Sequence, residues 1–348
     1  MERIYLDNAA TTRVRPEVAE AVLPAMMETY GNASSVHSFG REAKKAMEKA
    51  RAQVAAAIGA KKEEIYFTAG GSEADNWAIK GAAHALRRKG LHIITTSIEH
   101  HAVLHTCQAL EKEGFAVTYL PVDEYGLVTP EQVEAAIRPD TILVSVMAAN
   151  SEVGSVQPVA ELARTAHAAG ALFHTDATQA LGKVPVNVVD WGCDAASFSA
   201  HKVGGPKGVG ALYVKSRTPF DACMLGGGQE AGRRSGTQNV CGAAGFAAAI
   251  QVAQEKQADE QARLGALRDK LYTALAEKPG VRPTVQVAPG SQDYLPNIVH
   301  VLVDALESET LILRFDMRGF GVSGGSACSS HSLEPSHVLR AIGIDADA

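Results

Sequence analysis

The sequence predicts an α/β protein built around a mostly parallel β-sheet with helices on both faces. Short apolar runs rich in β-branched residues recur along the chain, and stretches with helical spacing and many Ala, Leu and Glu residues separate most of them. The strand-like runs are 64–67, 92–95, 117–120, 141–144, 172–175 and 211–214, and the helical stretches include 72–89, 101–113 and 159–169. Such alternation favours parallel strands joined by crossover helices.

The C-terminal third predicts a second, smaller α+β domain. From about Cys241 the pattern changes to a long Ala/Gln/Glu/Leu helix through Lys278, followed by a proline-containing loop and another strand and helix. We expect residues 13–255 to form the large domain, and residues 1–12 together with 256–348 to form the small one. The long helix is the expected hinge between them.

The composition is that of a globular protein, because 46% of the residues are hydrophobic and can form a buried core. The formal charge of −6 comes from mixed charges without a long run of one sign. This disfavours nucleic acid or a membrane surface as the partner and favours a small molecule or a protein. The most apolar run, 240–250, is too short to span a bilayer, and the N-terminal residues lack a signal-peptide core. A cytoplasmic location is therefore expected.

A glycine turn between a strand and a helix predicts a phosphate site. In FTAGGSEADN the strand ends at Phe67, and the helix starts near Ser72 after Gly70 and Gly71. Glycines let the backbone approach a ligand, and the start of a helix offers free N–H groups to an anion. Alone, the turn fits equally well a Ser N-cap with Glu73 in the first helical turn.

An acidic residue follows the strand at 171–175. Asp176 lies at the carboxyl end of this strand, where ligands bind in open α/β sheets, and Gln179 follows one helical turn later. A carboxylate there can hold a protonated ring nitrogen. By spacing alone a helix N-cap is the simpler interpretation. The presence of Lys202 after the next strand reverses that preference.

Lys202 lies between a strand-like run and a cluster of glycines in SFSAHKVGGPKG. The glycines allow close approach, and desolvation makes a lysine amine useful for chemistry. Lys202, Asp176 and the turn at Ser72 together supply an amine, a partner for a ring cation and a phosphate seat. That set is suited to pyridoxal 5'-phosphate, with Lys202 as the Schiff-base lysine; a surface lysine before a turn is the structural alternative.

His100 follows a strand and precedes a helix in SIEHHAVLHT. Its imidazole is predicted to lie over the cofactor ring and exchange protons. His101 points in the next helical direction and is the weaker candidate. A single histidine in this position would more often be structural, so this prediction depends on the other site residues.

The five cysteines are an odd number without paired close spacings, which fits neither a disulfide framework nor a zinc site. Cys107 and Cys241 fall in helical patterns, where a buried thiol is the ordinary expectation. Cys328 lies in GVSGGSACSSHSLEPS, a Gly/Ser stretch without apolar periodicity that is typical of an exposed, mobile loop. We predict that Cys328 is the reactive thiol.

Taken together, these segments resemble the cysteine desulfurases, relatives of the class V aminotransferases with the fold-type I pyridoxal-phosphate architecture. The resemblance runs from YLDNAATT at Tyr5 to LEPSHVLRAIG near Gly343, which is nearly the whole chain. The matching segments also include GNASSVHSFGREA, FTAGGSEADN, EHHAVL, DATQALGK, SFSAHKVGGPKGVGALYV, GGGQEAGRRSGT and SGGSACSSHSLEPS. The long serine-containing loop is similar to that of the mobile-loop subgroup, whose members hand sulfur to a scaffold protein.

The resemblance implies a role for each matched residue. Lys202 would be the Schiff-base lysine, His100 would stack on the ring, and Cys328 would be the persulfide-forming nucleophile. The implied cofactor-binding residues are Gly71, Ser72, His100, Asn150, Asp176, Gln179, Ser199, His201, Lys202 and Thr237. Among these, Asp176 and Gln179 would contact the pyridine nitrogen and ring oxygen, and Thr237 would reach the cofactor phosphate of the partner subunit in a homodimer.

Two departures from the family pattern bear on this expectation. Ser151 stands where the family has the second asparagine of Asn-Asn-Glu-x-Gly, the one that normally meets the cofactor. The sequence also stops at Ala348, before the family's last strand and helix and before the arginine that binds the substrate carboxylate. We therefore expect either that this piece is supplied otherwise or that catalysis is impaired.

The implied reaction converts L-cysteine to L-alanine and leaves a persulfide on Cys328, which passes sulfur to an iron–sulfur scaffold or another acceptor protein. No resident metal is expected; at most Cys328 shares a transient iron–sulfur cluster with a scaffold partner. Two alternatives stay open. One is a related pyridoxal-phosphate lyase or transaminase, such as a selenocysteine lyase, and the other is a catalytically weak sulfur-transfer or assembly platform.

Overall fold

The computed structural model of the chain describes residues 3–304, 306–324 and 336–344. In these ranges the strands are β1 (Ile4–Tyr5), β2 (Ile65–Thr68), β3 (His92–Thr96), β4 (Ala116–Leu120), β5 (Thr141–Ser145), β6 (Leu172–Asp176), β7 (Ala195–Ser199), β8 (Gly210–Val214), β9 (Val281–Pro283), β10 (Val301–Val303) and β11 (Phe320–Gly321). The helices are α1 (Pro16–Met27), α2 (Ser38–Ala57), α3 (Gly71–Leu86), α4 (His101–Lys112), α5 (Pro130–Ala136), α6 (Val159–Ala168), α7 (Val240–Glu255), α8 (Gln257–Ala276), α9 (Ser308–Asp316) and α10 (His337–Ala341).

Seven strands form the central sheet in the order β2-β8-β7-β6-β5-β3-β4. All neighbours in it are parallel except β8, which runs antiparallel to both β2 and β7. The predicted mostly parallel α/β sheet is thus confirmed. Each of the six strand runs read from the sequence coincides with an observed strand to within one residue at either end.

The sheet is covered on both faces, as its continuous apolar strands require. Neighbouring side chains of β3 point to opposite faces: Ile94 joins the core cluster that contains Phe246 of α7, whereas Ile93 joins the one that contains Ile79 of α3 and Val103 of α4. The parallel strands therefore end at one common edge between these two helical layers. Ligands bind at such an edge in open α/β sheets.

Two small sheets lie outside the central one, and one of them joins the N-terminal segment to the C-terminal third. β1 pairs in parallel with β11, so Ile4 lies opposite Phe320, and β9 pairs antiparallel with β10. This pairing agrees with an assignment of residues 1–12 to the small domain, although the proposed domain boundaries stay a prediction.

The predicted long helix from Cys241 to Lys278 is wrong, because the structure has two helices that meet at Lys256. The backbone of Lys256 has φ −101° and ψ −1°, which ends the first helix. α7 buries much of its length, including Phe246, whereas α8 buries only Arg268 and Tyr272. α7 thus packs into the core, whereas α8 lies mostly at the surface, and one straight helix could not make both sets of contacts.

Over the ranges given above, none of the helices combines the length and the apolar character needed to cross a bilayer.

Candidate active site

Lys202 lies in a short 3₁₀ turn, Ala200–Lys202, directly after β7. Its side-chain nitrogen donates hydrogen bonds to the carbonyl oxygens of Ala9 and of Ala10, the latter at 2.9 Å. The side-chain amide of Gln179 donates to the same Ala9 oxygen at 2.9 Å. The structure therefore brings Lys202 and Gln179 together on a shared acceptor in the N-terminal segment.

Asp176 is the last residue of β6, and it lies beside His100. Polar side-chain atoms of Asp176, His100 and Asp75 are all within 4.8 Å of one another. The carboxylate of Asp176 also accepts a hydrogen bond from the N–H of Thr178 at 2.9 Å. The bond to Thr178 is the cap-like contact expected from spacing alone, but the proximity of His100 and Asp75 shows that the carboxylate also belongs to a wider polar group.

His100 is the N-cap residue of α4, where its Nδ1 accepts a hydrogen bond from the N–H of Ala102 at 3.1 Å. This bond fixes the imidazole at the end of the parallel strands. His101 turns away toward His337, and their ring centroids are 4.7 Å apart. The predicted difference in direction between the two histidines is thus observed.

The glycine turn forms a narrow cradle with the ends of β6 and β7. A Cβ atom placed on Gly71 would lie 2.9 Å from Oγ1 of Thr178 and 3.5 Å from Cβ of Ser199, so only glycine fits there. Ser72 follows in the first turn of α3. The Oγ1 atom of Thr178 is buried and has no hydrogen-bond partner among the described residues.

These features fit the phosphate of the expected cofactor. Buried hydroxyls normally find a partner, and an orphan one at a helix start marks a place that a ligand can complete. We therefore add Thr178 to the residues predicted from the sequence. The sequence contained a signal for Thr178, because in the motif DATQALGK its hydroxyl comes two residues after Asp176 and is therefore expected at the same strand end.

His201 and the N-terminal segment close one side of the site. Nδ1 of His201 lies 3.0 Å from the hydroxyl of Thr11, and the hydroxyl of Thr12 donates to the His201 carbonyl oxygen at 2.7 Å. Burial, followed by the charges of Lys202 and other lysines, lowers the pKa of His201 to about 4. The imidazole is thus neutral near pH 7 and offers one donor and one acceptor nitrogen.

Lys183 is a second amine near the predicted lysine, and sequence reasoning missed it. It donates a hydrogen bond to the side-chain oxygen of Gln179 at 2.7 Å. Burial, followed by the charge of Lys202, lowers the pKa of Lys183 to about 7. Lys183 is the last residue of the motif DATQALGK, but nothing in the spacing distinguishes it from a solvated helix lysine.

Asp75 is a buried acid on α3 that the sequence analysis also missed. It is 1% exposed, and burial together with the nearby charge of Asp176 raises its pKa well above the ordinary value. His174 lies 3.8 Å away, and burial lowers its pKa to about 4. The signal was present, because Asp75 interrupts a small-residue, apolar helix face that includes Ala74 and Ala78.

Asn150 is buried, and its amide organises its own turn. Its oxygen accepts from the N–H groups of Glu152 and Val153 at 2.8 and 3.0 Å, and its nitrogen donates to the carbonyl of Ile98 at 3.2 Å. The side chain thus connects the loop that contains Ser151 to the segment that precedes His100. Its contact with a cofactor stays a prediction.

Thr237 and the cysteines complete the set of predicted residues. Thr237 is exposed in the loop before α7. Cys107 is buried, as expected, and burial raises the pKa of its thiol to about 12, whereas Cys241 is only partly buried because it lies in the first turn of α7. Cys328 lies outside the described residues.

The comparisons with known proteins agree with this arrangement. A family model described as "Aminotransferase class-V" matches residues 4–344. The chain is 49% identical over 346 residues to the cysteine desulfurase IscS of Clostridium botulinum, covering 99% of this chain and 86% of that protein. It is also 49% identical over 345 residues to the cysteine desulfurase IscS of Methanosarcina thermophila, covering 98% and 83%.

Solved structures show the same similarity in three dimensions. A NifS-like protein superposes with a TM-score of 0.92 at 40% identity, covering 99% of this chain and 91% of that one. A structure described as SspA in complex with cysteine superposes with a TM-score of 0.83 at 36% identity, covering 98% and 95%.

Proposed function

The chain belongs to the aminotransferase class-V family, and from this membership we propose that it is a pyridoxal 5'-phosphate-dependent cysteine desulfurase. The substrate is L-cysteine, the released product is L-alanine, and the sulfur stays on the enzyme as a persulfide of Cys328. The observation that carries the proposal is the meeting of Lys202 and Gln179 at the Ala9 carbonyl on the sheet edge where polar atoms of Asp176 and His100 lie within 4.8 Å of each other.

When bound, the cofactor supplies a ring that accepts the electron pair left at the substrate α-carbon. Lys202 would hold the cofactor covalently, and the carboxylate of Asp176 would keep the ring nitrogen protonated. Gln179 would donate to the ring oxygen. Proton movement at the α-carbon falls to Lys202 and His100, because these are the proposed residues with nitrogen bases next to the ring.

The phosphate would lie in the cradle at the start of α3. Gly71 and Ser72 offer the helix N-terminus, and the hydroxyls of Thr178 and Ser199 lie on its other side. His201 would contribute its neutral imidazole. We assign Asn150 to the same site through its link to the segment before His100.

The sulfur step requires one thiol and no external oxidant. The thiolate of Cys328 attacks the sulfur of bound L-cysteine, the carbon–sulfur bond breaks, and its electron pair returns to the substrate carbon. A proton then converts that fragment to L-alanine, so one cysteine and one thiol give one alanine and one persulfide. The buried thiol of Cys107, whose pKa is raised to about 12, is unsuited to this attack.

We further propose a homodimer in which Thr237 reaches the cofactor phosphate of the second copy, because Thr237 is exposed in its own protomer. Sulfur would then pass from Cys328 to an iron–sulfur scaffold or another acceptor protein in the cytoplasm. Sedimentation that finds a monomer with full cofactor occupancy would contradict the dimer.

The test is a single turnover of the cofactor-loaded protein with L-cysteine. We expect alanine and a persulfide in equal amounts, with the extra sulfur on Cys328 by mass spectrometry. Alanine without a persulfide would favour the related lyase, for which selenocysteine should be the better substrate. A persulfide accepted from a donor enzyme without alanine release would favour the assembly platform.

A further inference from the structure

The loop that carries Thr237 is fixed to its own protomer by a buried carboxylate. The side chain of Glu230 is 3% exposed and forms a two-pronged ion pair with Arg51 of α2, at 2.6 and 2.8 Å. The carboxylate also accepts from the N–H of Phe67 in β2 at 2.9 Å and from the side chain of Gln238. Glu230 therefore connects α2, β2 and the residue after Thr237.

The backbone at this point has a shape that ordinary residues rarely adopt. Glu230 has φ 48° and Ala231 has φ 58°, and both are non-glycine residues in the left-handed region. Such a conformation persists only where the surrounding contacts enforce it. The contacts of Glu230 are among those that enforce it here, so the ion pair with Arg51 contributes to the course of the loop.

A second ion pair ties the same loop to the helix at the glycine turn. Arg234 forms a two-pronged pair with Glu73 in the first turn of α3, at 2.7 and 3.1 Å. Glu73 also accepts from the N–H of Ala69 at 3.0 Å. Together with the bond from Phe67, these contacts fix the loop to both ends of the turn that contains Gly71.

The charges agree with this geometry. Burial alone would raise the pKa of Glu230, but the hydrogen bonds and the charge of Arg51 outweigh it and hold that pKa below its ordinary value. The carboxylate thus stays ionised near neutral pH and keeps all of its donors.

We propose that Arg51 and Glu230 are positioning residues, which shape the loop 226–238 against the phosphate turn so that Thr237 is presented ready-formed to a second copy. The inference rests on the proposed function, in which Thr237 contacts the cofactor phosphate of the partner subunit. A loop that is ordered before association does not lose further conformational freedom when the dimer forms. Loss of the ion pair therefore weakens both the dimer and the retention of the cofactor.

The test compares two double variants of the cofactor-loaded protein. Arg51→Met/Glu230→Met removes both buried charges together, because removing one leaves the other buried without a partner. We expect a folded protein in which amide exchange in 226–238, the dimer dissociation constant and the rate of cofactor release each rise by about tenfold or more. The control Arg263→Met/Glu260→Met removes an exposed pair on α8 and should change none of them.

A third variant separates this inference from the proposed function. Thr237→Ala should speed cofactor release without raising amide exchange in the loop. If Thr237→Ala acts in this way but the Arg51/Glu230 double variant matches the control, the positioning role is wrong and the proposed function stands. If Thr237→Ala has no effect on cofactor release, the contact with the second copy is itself wrong, and the inference falls with it.

Discussion

The side-chain nitrogen of Lys202 donates a hydrogen bond to the carbonyl oxygen of Ala9, a residue 193 positions earlier in the chain. The N-terminal segment thus forms one wall of the site and holds the lysine in place. Carbonyl oxygens accept hydrogen bonds but do not themselves gain or lose protons. They therefore orient the amine, and the amine reacts with the ligand. The same oxygen orients Gln179.

Lys202→Ala is expected to abolish covalent attachment of pyridoxal 5'-phosphate, because it removes the proposed Schiff-base amine. Borohydride reduction followed by peptide mapping should locate the adduct on Lys202 in the unmutated protein and find none in the variant. Lys207→Ala is the control, since Lys207 is exposed and should leave the adduct unchanged. An adduct on Lys183, the other amine beside Gln179, would contradict the assignment.

Thr178→Val is expected to have opposite effects on stability and on cofactor binding. The substitution removes a buried hydroxyl that has no partner among the described residues, so the cofactor-free protein should keep or gain stability, by up to about 1 kcal/mol. The dissociation constant of the cofactor should rise about tenfold, as for the loss of one hydrogen bond to a charged phosphate.

Thr95→Val is the matched control for this variant. Thr95 lies in β3, and its hydroxyl is also buried without a partner among the described residues. It should gain stability and bind the cofactor unchanged. Equal cofactor affinities of the Thr178→Val and unmutated proteins would remove Thr178 from the site.

Glu99→Gln is expected to flatten the pH dependence of stability. Burial raises the pKa of Glu99 to about 8, whereas the unfolded chain keeps the ordinary value of 4.5. Between these values the unfolded carboxyl loses its proton while the folded one retains it, so the free energy of unfolding falls as the pH rises. The slope from this group is at most about 1.4 kcal/mol per pH unit, and it ends above pH 8.

Thermal unfolding at a series of pH values between these limits measures that slope. The unmutated protein should lose stability with rising pH relative to Glu99→Gln, which has no proton to lose. Glu63→Gln changes an exposed carboxyl and serves as the control. Parallel profiles for the Glu99→Gln and unmutated proteins would show that Glu99 is already ionised in the folded state.

Cys328→Ala is expected to leave cofactor binding intact and to abolish persulfide formation. In the proposed mechanism the Cys328 thiol acts on the substrate sulfur, whereas the cofactor acts on the α-carbon, so only the sulfur step needs a thiolate. The visible spectrum should still change when cysteine is added, but mass spectrometry should find no added sulfur. Cys223→Ser is the control, because Cys223 is an exposed thiol that has no proposed role in the reaction. Unchanged sulfide release from Cys328→Ala would overturn the mechanism.

Residues whose position follows from local pattern were predictable from the sequence. Asp176 ends β6, Lys202 lies in the turn after β7, and Gly71 opens α3, so the strand ends alone predicted that these residues lie at one edge of the sheet. The contributions of Ala9 and Ala10 were not predictable, because a backbone carbonyl has no signature in the residue type. Their place depends on how the N-terminal segment crosses the sheet edge.

Two ionisable side chains and the helix break were missed for a different reason. Asp75, which is buried, and Lys183, which is half-buried, occur where their neighbours would allow solvated side chains, and only tertiary packing covers them. The stretch around Lys256 has good helix formers on both sides, so propensity predicts continuity. Packing of α7 on the core overrides it.

The contacts of Arg51 and Glu230 also cover backbone groups at the β2 edge of the sheet. β2 is the last strand at its end of the sheet, so its outward N–H and C=O groups would be open to a strand from another molecule. Arg51 donates to the Ile65 carbonyl at 2.7 Å and Glu230 accepts from the Phe67 N–H. Two side chains thus occupy the positions that an added strand would use, and this edge is protected from β-aggregation.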